Sequence, residues 1–299
     1  MIGLIKNKLA QIDTLVRRVA GLEQTLTRVQ SALGRVEARQ LEQRDSSDLR
    51  EHEFQVFSQN GDDGILHFLA RHVRVPRKIF VEFGVENYTE ANTRFLLTNA
   101  GWSGLVLDGG AENIGYIRRD PIFWKHNLKA QHTFITRENI NTLLADNGIT
   151  GDIGLLSIDI DGNDYWVWEA IDAVTPAIVV VEYNSRFGPD RAVTTPYDPA
   201  FQRTLAHFSN IYYGASLRAL CLLGARKGLA FVGCNSAGNN AFFVRRDLLP
   251  PQIREMSCAE GFVAAQFRES RDERGRLNFL TPEDERKTLT TLPLVEVEK

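Results

Sequence analysis

The sequence has 299 residues and a formal net charge of −3 at pH 7, with a pI near 6.1, which excludes the strongly basic class of general nucleic-acid-binding proteins. Its hydrophobic content of 43% is ordinary for one large globular domain or two smaller ones. The three cysteines lack metal-ligand spacing, and their odd number argues against a disulfide framework; since neither a signal-peptide core nor an apolar run of about 20 residues is present, the sequence predicts a cytoplasmic protein.

The first predicted element, over residues 1–45, is an amphipathic helix. Apolar residues alternate spacings of three and four along it at Ile12, Leu15, Val19, Leu22, Leu26, Val29, Leu33 and Val36. This heptad repeat predicts self-association as a parallel coiled coil, and leaves dimer, trimer and tetramer open. The alternative is a helix that folds back on its own domain or docks on another protein or a membrane surface. Residues 46–53 are polar and predict a linker.

The predicted core domain spans residues 54–249 and opens with a turn-rich segment and a helix. Ser58, Gln59 and Asp62 lie in that segment, which precedes the first core strand. They are either a polar cap of the helix or part of a ligand crevice. Further helices are predicted over residues 92–99, over 113–125 with an interruption at Pro121, and over 138–147, and a weaker strand is predicted over residues 130–135.

A strand, a tight turn and a helix follow in residues 79–99. The apolar run ends in Glu82 and Gly84, and helix-compatible sequence begins at Asn92. Such a turn brings a strand's carboxyl end, a helix amino terminus and a carboxylate to one crevice, where open parallel sheets bind nucleotide-like ligands. The alternative is an ordinary strand–helix corner with Glu82 at its rim.

The next predicted strand, residues 105–107, ends in Asp108 and two glycines. In nucleotide-binding strand–helix–strand units, an acid at this point accepts hydrogen bonds from ribose hydroxyls, because a carboxylate offers acceptors to two vicinal donors. Asp108 is therefore a predicted ribose ligand.

Two continuous apolar runs, IGLLSIDID and PAIVVVEYN, end in polar side chains: Asp159, Asp161, Glu182 and Asn184. Continuous runs predict strands covered on both faces of a parallel α/β sheet, whose carboxyl ends converge on one edge. The oxygens of Asp161, Glu182 and Asn184 would there suit Mg²⁺ or a similar hard cation. A set of helix caps and loop anchors is the alternative.

The last predicted strands, Leu229–Cys234 and Ala241–Val244, are separated by a turn of Gly, Asn and Ser residues. This spacing is typical of a closing antiparallel hairpin. Residues 250–299 are highly charged and predict a helical or irregular surface cover or an oligomer contact.

Taken together, these features resemble the class I S-adenosylmethionine-dependent methyltransferases, and within them the FkbM-type enzymes of sugar and natural-product pathways. The stretches that carry the resemblance are FSQNGDDGIL, VEFGVENYTEANT, GWSGLVLDGG, LLSIDIDGNDYWVW and VVVEYN. The resemblance implies an α/β fold with a Rossmann-like, seven-stranded, mostly parallel sheet that a hairpin closes. The GxGxG turn of the family is absent, since Glu86, Asn87 and Tyr88 replace its later glycines.

The resemblance also implies site residues and chemistry. Those expected at S-adenosylmethionine are Ser58, Gln59, Glu82, Gly84, Tyr88, Asp108 and Asp159. Asp108 would hold the ribose, and Glu82 would face the methionine portion. The implied reaction is in-line methyl transfer from a sulfonium to a hydroxyl of a sugar or glycan, in a surface polysaccharide or a glycosylated natural product.

The strand-end acids also resemble the Mg²⁺ site of catechol-type O-methyltransferases. That likeness implies Asp161, Glu182 and Asn184 as metal ligands. The lysine base of those enzymes would fall near Asp164, so the base expected here is Asp164, Asp161, a nearby histidine such as His207, or a hydroxyl whose pKa the metal lowers.

Two other functions stay open from the sequence. The altered glycine turn and the missing lysine favour a non-catalytic coiled-coil scaffold whose domain only binds a ligand. An enzyme that uses NAD is disfavoured, because the GxGxxG phosphate cradle is absent. No nucleic-acid partner is expected, and any membrane contact would be peripheral.

Overall fold

The computed structural model describes residues 2–298, with side chains for all of these except residues 2–7, Ala10, Ala20 and Glu23. The α-helices are α1 Ile2–Leu41, α2 Asp62–His72, α3 Arg94–Asn99, α4 Ala111–Arg119, α5 Pro121–Lys125, α6 Ile140–Asp146, α7 Asp164–Ala170, α8 Arg203–Ala206, α9 Leu217–Arg226, α10 Cys258–Gly261 and α11 Pro282–Thr290. The strands are β1 Ile79–Phe83, β2 Ser103–Asp108, β3 Leu128–His132, β4 Gly151–Ile158, β5 Val174–Glu182, β6 Val193–Thr194, β7 Leu229–Cys234, β8 Asn240–Arg245 and β9 Val295–Glu296. Short 3₁₀ helices span Leu49–His52, Ser185–Phe187 and Arg246–Leu248.

Within residues 2–298, seven strands form one sheet in the order β3-β2-β1-β4-β5-β8-β7. Strands β1 to β5 pair in parallel, whereas β8 runs antiparallel to both β5 and β7. This is the mostly parallel sheet with a closing hairpin that the sequence predicts, so the predicted fold class is confirmed. Strands β6 and β9 form a separate two-stranded sheet.

Helices cover the sheet on both faces. Helices α6, α7 and α9 bury their apolar side chains in a cluster on one face, and α2, α3 and α4 do so on the other. The central strands therefore have apolar neighbours above and below, which is why their sequences are continuous apolar runs. None of the helices in the described part of the chain combines the length and the apolar content needed to cross a bilayer.

The interruption that the sequence predicts at Pro121 is present: α4 ends at Arg119, and the Asp120 side chain caps α5 by accepting a hydrogen bond from the Ile122 N–H at 2.7 Å. Local structure differs from the sequence prediction at two other places. Strand β3 begins at Leu128 rather than at residue 130. The expected polar linker is packed on the domain, since Leu49 and His52 are 2% exposed.

Gly84 lies where β1 leaves the sheet, and only glycine fits there. Its φ is +67°, a left-handed conformation, and a Cβ atom at this position would lie 1.7 Å from the backbone oxygen of Asp159. The loops after β1 and β4 thus approach each other backbone to backbone, which fixes the floor of the crevice described below.

We expect Gly84→Ala to lower the free energy of unfolding by more than about 3 kcal/mol, because the left-handed strain and the overlap with Asp159 add. Gly148→Ala is the matched control: Gly148 has a φ of +71° and no atom within 4 Å of the added Cβ. The control should lose only the strain energy of about 1–2 kcal/mol. Denaturant unfolding measures both, and equal losses would show that the close approach at Gly84 is unimportant.

Candidate active site

A cavity of about 590 Å³ opens at the carboxyl ends of the parallel strands. Its walls come from the loops that follow β1, β2, β3 and β4, from the end of β5, and from the start of β8. Residues 201–204, Asn210 and Glu269 close one side. The volume lies in the range of small-molecule and cofactor sites.

Glu82, at the end of β1, holds the loop that follows it. One oxygen accepts a hydrogen bond from the Asn92 N–H at 2.7 Å, and the other accepts from the Thr93 N–H at 3.1 Å and the Thr93 hydroxyl at 2.5 Å. Burial raises the pKa of Glu82 to about 7. The carboxylate thus borders the cavity while its oxygens tie down the start of α3.

Asp108 ends β2 and organises the next part of the wall. Its Oδ2 accepts from the Glu86 N–H at 2.7 Å, and its Oδ1 accepts from the Gly110 N–H at 2.7 Å and from the Asn113 amide at 3.0 Å. A carboxylate has about four acceptor positions. The three bonds therefore fix its orientation and leave acceptor capacity toward the cavity that it lines.

Three carboxylates converge where β4 and β5 end. Asp159, Asp161 and Glu182 each bring an oxygen to within 4.8 Å of the others. Asp161 has a φ of +55° and is the outer, exposed member of the three. Burial, followed by the neighbouring carboxylates, raises the pKa of Asp159 and of Glu182 well above the usual range.

Glu182 has one oxygen without a partner. The residue is 8% exposed, and its Oε2 is buried without a hydrogen bond from any described residue. A buried carboxylate oxygen in this state costs free energy unless a ligand, a proton or a cation satisfies it.

Arg203, on α8, supplies positive charge at the edge of these acids. Its Nη1 lies 2.7 Å from the Asp161 Oδ1, its Nε donates to the Asn210 carbonyl at 3.0 Å, and its guanidinium stacks 3.8 Å from the Tyr213 ring centroid. Sequence reasoning missed Arg203, because 42 residues separate it from Asp161.

The structure places Asn184 and Asp164 in anchoring roles. The Asn184 amide nitrogen donates to the carbonyls of Ile211 at 2.9 Å and Tyr213 at 3.1 Å. Its Oδ1, the atom that would bind a metal, accepts from the Arg186 N–H at 3.2 Å, and the residue lies outside the cavity wall. Asp164 accepts hydrogen bonds from the Ile160 and Gly162 N–H groups at 2.8 and 2.9 Å. It closes its own turn and lies outside the cavity wall.

Ser58, Tyr88 and His207 also lie outside the wall. The Ser58 hydroxyl donates to Asp63 at 2.9 Å, and the buried Tyr88 hydroxyl lies 2.8 Å from that of Thr93. Nδ1 of His207 lies 2.6 Å from the Ser209 hydroxyl. Each of these groups supports a local turn. The other predicted residues line the cavity: Gln59, Glu82, Gly84, Asp108, Asp159, Asp161 and Glu182.

Asn239, just before β8, and Asn240, its first residue, line the cavity. The sequence analysis did not select either of them. Asn240 lies opposite Glu182 in the antiparallel pair. Its Nδ2 donates at 3.0 Å to the fully buried Asp62, whose pKa burial raises to about 7. Because this bond uses the amide nitrogen, the carbonyl oxygen of Asn240 remains for other partners. The turn NSAGNN, next to the predicted hairpin strand, was the available signal.

No protein-family model and no curated protein matches the sequence. Among solved structures, the chain is similar to the N-terminal domain of EvdMO1 with S-adenosylhomocysteine bound, at 11% identity and a TM-score of 0.40 over 70% of this chain and 94% of that one. It is similar to an O-methyltransferase from Bacillus cereus in complex with S-adenosylhomocysteine, at 14% identity and a TM-score of 0.40 over 72% and 88% of the two chains. PKMT2 from Rickettsia typhi gives 9% identity and a TM-score of 0.41 over 64% and 54%. At these values, the likenesses carry no argument about activity.

We expect the free energy of unfolding to depend on pH through Glu82. Its pKa rises from an ordinary 4.5 to about 7 in the folded protein, so between these values the folded state holds a proton that the unfolded chain releases. Stability from this group is therefore full below about pH 4.5, falls as pH rises toward 7, and levels off above it.

Denaturant unfolding at pH 5 and at pH 8 tests this. From pH 5 to pH 8, Glu82→Gln should lose less unfolding free energy than the wild type does. The exposed Glu90→Gln is the control and should keep the wild-type loss, since it leaves Glu82 in place. An unchanged pH dependence in Glu82→Gln would contradict the assignment.

Proposed function

We propose that this chain is an S-adenosylmethionine-dependent methyltransferase that acts on a hydroxyl oxygen. The observation that carries the proposal is the charge of the cavity at the ends of the parallel strands. Among its described lining residues one, Arg203, is cationic, and eight carry carboxyl groups: Glu82, Glu86, Glu90, Asp108, Asp159, Asp161, Glu182 and Glu269.

An acidic cavity favours a cationic cofactor. S-adenosylmethionine carries a positive sulfonium, a ribose with two vicinal hydroxyls and a protonated amine, all of which carboxylates bind well. The pyrophosphate of NAD would instead meet like charge, and the β1 loop has no glycine-rich phosphate cradle. The same cavity therefore supports the sulfonium cofactor over a dinucleotide.

Three parts of the wall fit the three parts of this cofactor. Asp108, with one acceptor position left, would accept a hydrogen bond from a ribose hydroxyl. Phe134 is 48% exposed at the same end, beside Gly109, and offers an aromatic face to the adenine ring. Gly84 and the buried acids beyond it would receive the methionine portion.

In the proposed reaction, the bound cofactor supplies a methyl group on a positively charged sulfur. The residues of this chain align an acceptor oxygen opposite the leaving sulfur and take up the acceptor's proton. Asp159 and Glu182 are better placed for that proton than Asp164 or His207, because both line the cavity and the Glu182 Oε2 has no partner. Burial raises the pKa of both carboxyl groups, which makes each a stronger base than an exposed carboxylate.

The three-carboxylate cluster also fits a divalent cation such as Mg²⁺. Carboxylate oxygens are the donors that hard cations prefer, and the unpartnered Glu182 oxygen is one that such an ion would satisfy. Asp159 replaces Asn184 in the ligand set that the sequence predicted. A cation held there would lower the pKa of an acceptor hydroxyl.

The acceptor half of the cavity is polar and supports a polyhydroxylated acceptor such as a sugar. Gln202, Thr204, Asn210 and Glu269 line this side, and all offer hydrogen-bonding side chains. The C-terminal segment brings in Glu269, which accepts from the Asn210 amide at 3.3 Å. A buried ion pair between Arg186 and Glu285, 2.9 Å apart, anchors that segment.

We expect Asp108→Asn to weaken binding of S-adenosylmethionine and S-adenosylhomocysteine by about 10- to 100-fold, the usual worth of hydrogen bonds to a charged group. Isothermal titration measures this. Glu112→Gln, an exposed change on the adjacent helix, is the control and should bind like the wild type. Binding of NAD in place of both sulfur compounds would overturn the proposal, and tight cofactor binding with no methyl transfer to any sugar of a panel would favour the scaffold.

We expect Asp161→Asn to lower the affinity for Mn²⁺, a spin probe for Mg²⁺, by about tenfold or more, because it removes one charged ligand. Arg203→Met should raise the affinity, since the guanidinium competes for the Asp161 carboxylate. Electron paramagnetic resonance titration measures both. Asp152→Asn, at the opposite end of β4, is the control and should change nothing. Methyl transfer that is undiminished in excess EDTA, with no Mn²⁺ bound, would exclude the metal.

A further inference from the structure

The apolar seam of α1 is free of the chain's own domain. Its eight residues, Ile12, Leu15, Val19, Leu22, Leu26, Val29, Leu33 and Val36, have exposed fractions between 48% and 69%. This arrangement is the opposite of a helix folded back on its domain, which would bury that stripe. A regular apolar stripe of this length is stable in water only when something covers it.

A different face of α1 binds the domain. Gly34 and Ala38 are buried, and Ala38 packs in a cluster with Val56 and Phe95. A Cβ atom on Gly34 would lie 2.2 Å from the Val56 side chain, so the helix can approach this closely only with glycine at that position. At 100° per residue, this face lies about 120° around the helix from the seam. The attachment to the domain therefore leaves the seam open along its whole length.

The period of the seam identifies the kind of surface that covers it. A strict seven-residue repeat drifts by about 20° per heptad on a straight helix, hence by about 80° over four heptads. A partner helix follows this drift by supercoiling, whereas the flat surface of a membrane cannot. Charged residues of both signs stand at the positions that flank the seam, Arg18, Glu23, Glu37 and Arg39, which also disfavours a membrane.

We propose that the seam of α1 binds the same seam of a second copy of this chain, in a parallel coiled coil. Arg18 precedes an a position, and Glu23 follows the next d position, five residues later. In a parallel in-register pair, these g and e positions of neighbouring chains face each other, so the sequence offers opposite charges to itself. The domains then lie at the same end of the coil, on outward-facing sides.

Sedimentation equilibrium of the full-length protein tests the proposal. The wild type should sediment as a multiple of the 33.7 kDa chain. The double variant Leu22→Glu/Leu26→Glu should sediment as a single chain, because it places charge in the middle of the seam. Gln24→Glu/Arg28→Glu adds comparable charge on the other side of α1 and should keep the wild-type mass. Unchanged thermal unfolding of the domain would show that the seam variant is folded.

Charge reversal tests the parallel orientation. Arg18→Glu should weaken association several-fold, and the swap Arg18→Glu/Glu23→Arg should restore it. Residues five apart are not neighbours on one helix, so restoration requires a second chain. A wild type that is a single chain at micromolar concentration would overturn the proposal, as would a seam variant that associates like the wild type. Flotation of a single-chain wild type with anionic vesicles would assign the seam to a membrane instead.

Discussion

The hydrogen bonds that the buried Glu82 carboxylate accepts from Asn92 and Thr93 determine the shape of the site. They tie the loop after β1 back to the sheet, so that the loop borders a cavity instead of filling it. Gly84 sits at the start of this loop and lets its backbone pass close to Asp159. Because both loops are fixed, the ends of β1 and β4 stay a defined distance apart. The rest of the cavity wall is built on that frame.

The site gathers more negative charge than its own residues neutralise. Asp159, Asp161 and Glu182 lie together, and in the described lining Arg203 is their cationic neighbour. Taking carboxylates out of water is costly unless protons or cations compensate them. A sulfonium cofactor, a divalent cation or a bound proton each meets that need. The proposed function would supply the first two of these.

The sequence located part of the site through position at strand ends. Glu82, Asp108, Asp159, Asp161 and Glu182 all follow apolar strands, and the parallel sheet brings them to one edge. Asn184 and Asp164 lie equally near such ends, yet their side chains are used by nearby backbone groups. Position in the sequence shows that a residue lies near a strand end, but it does not show which neighbour its side chain binds. That distinction requires the folded loops.

The pattern of apolar residues was enough to predict the α/β class, the closing hairpin and the long amphipathic helix, because these depend on local burial patterns. The seven-stranded sheet was implied by the family resemblance. Tertiary structure alone decided that Arg203, Asn240 and Glu269 join the cavity and that the heptad seam faces away from the domain. Each of these depends on contacts between segments far apart in the chain. A sequence pattern gives no information on the spatial distance between such segments, because that distance depends on how the whole fold packs.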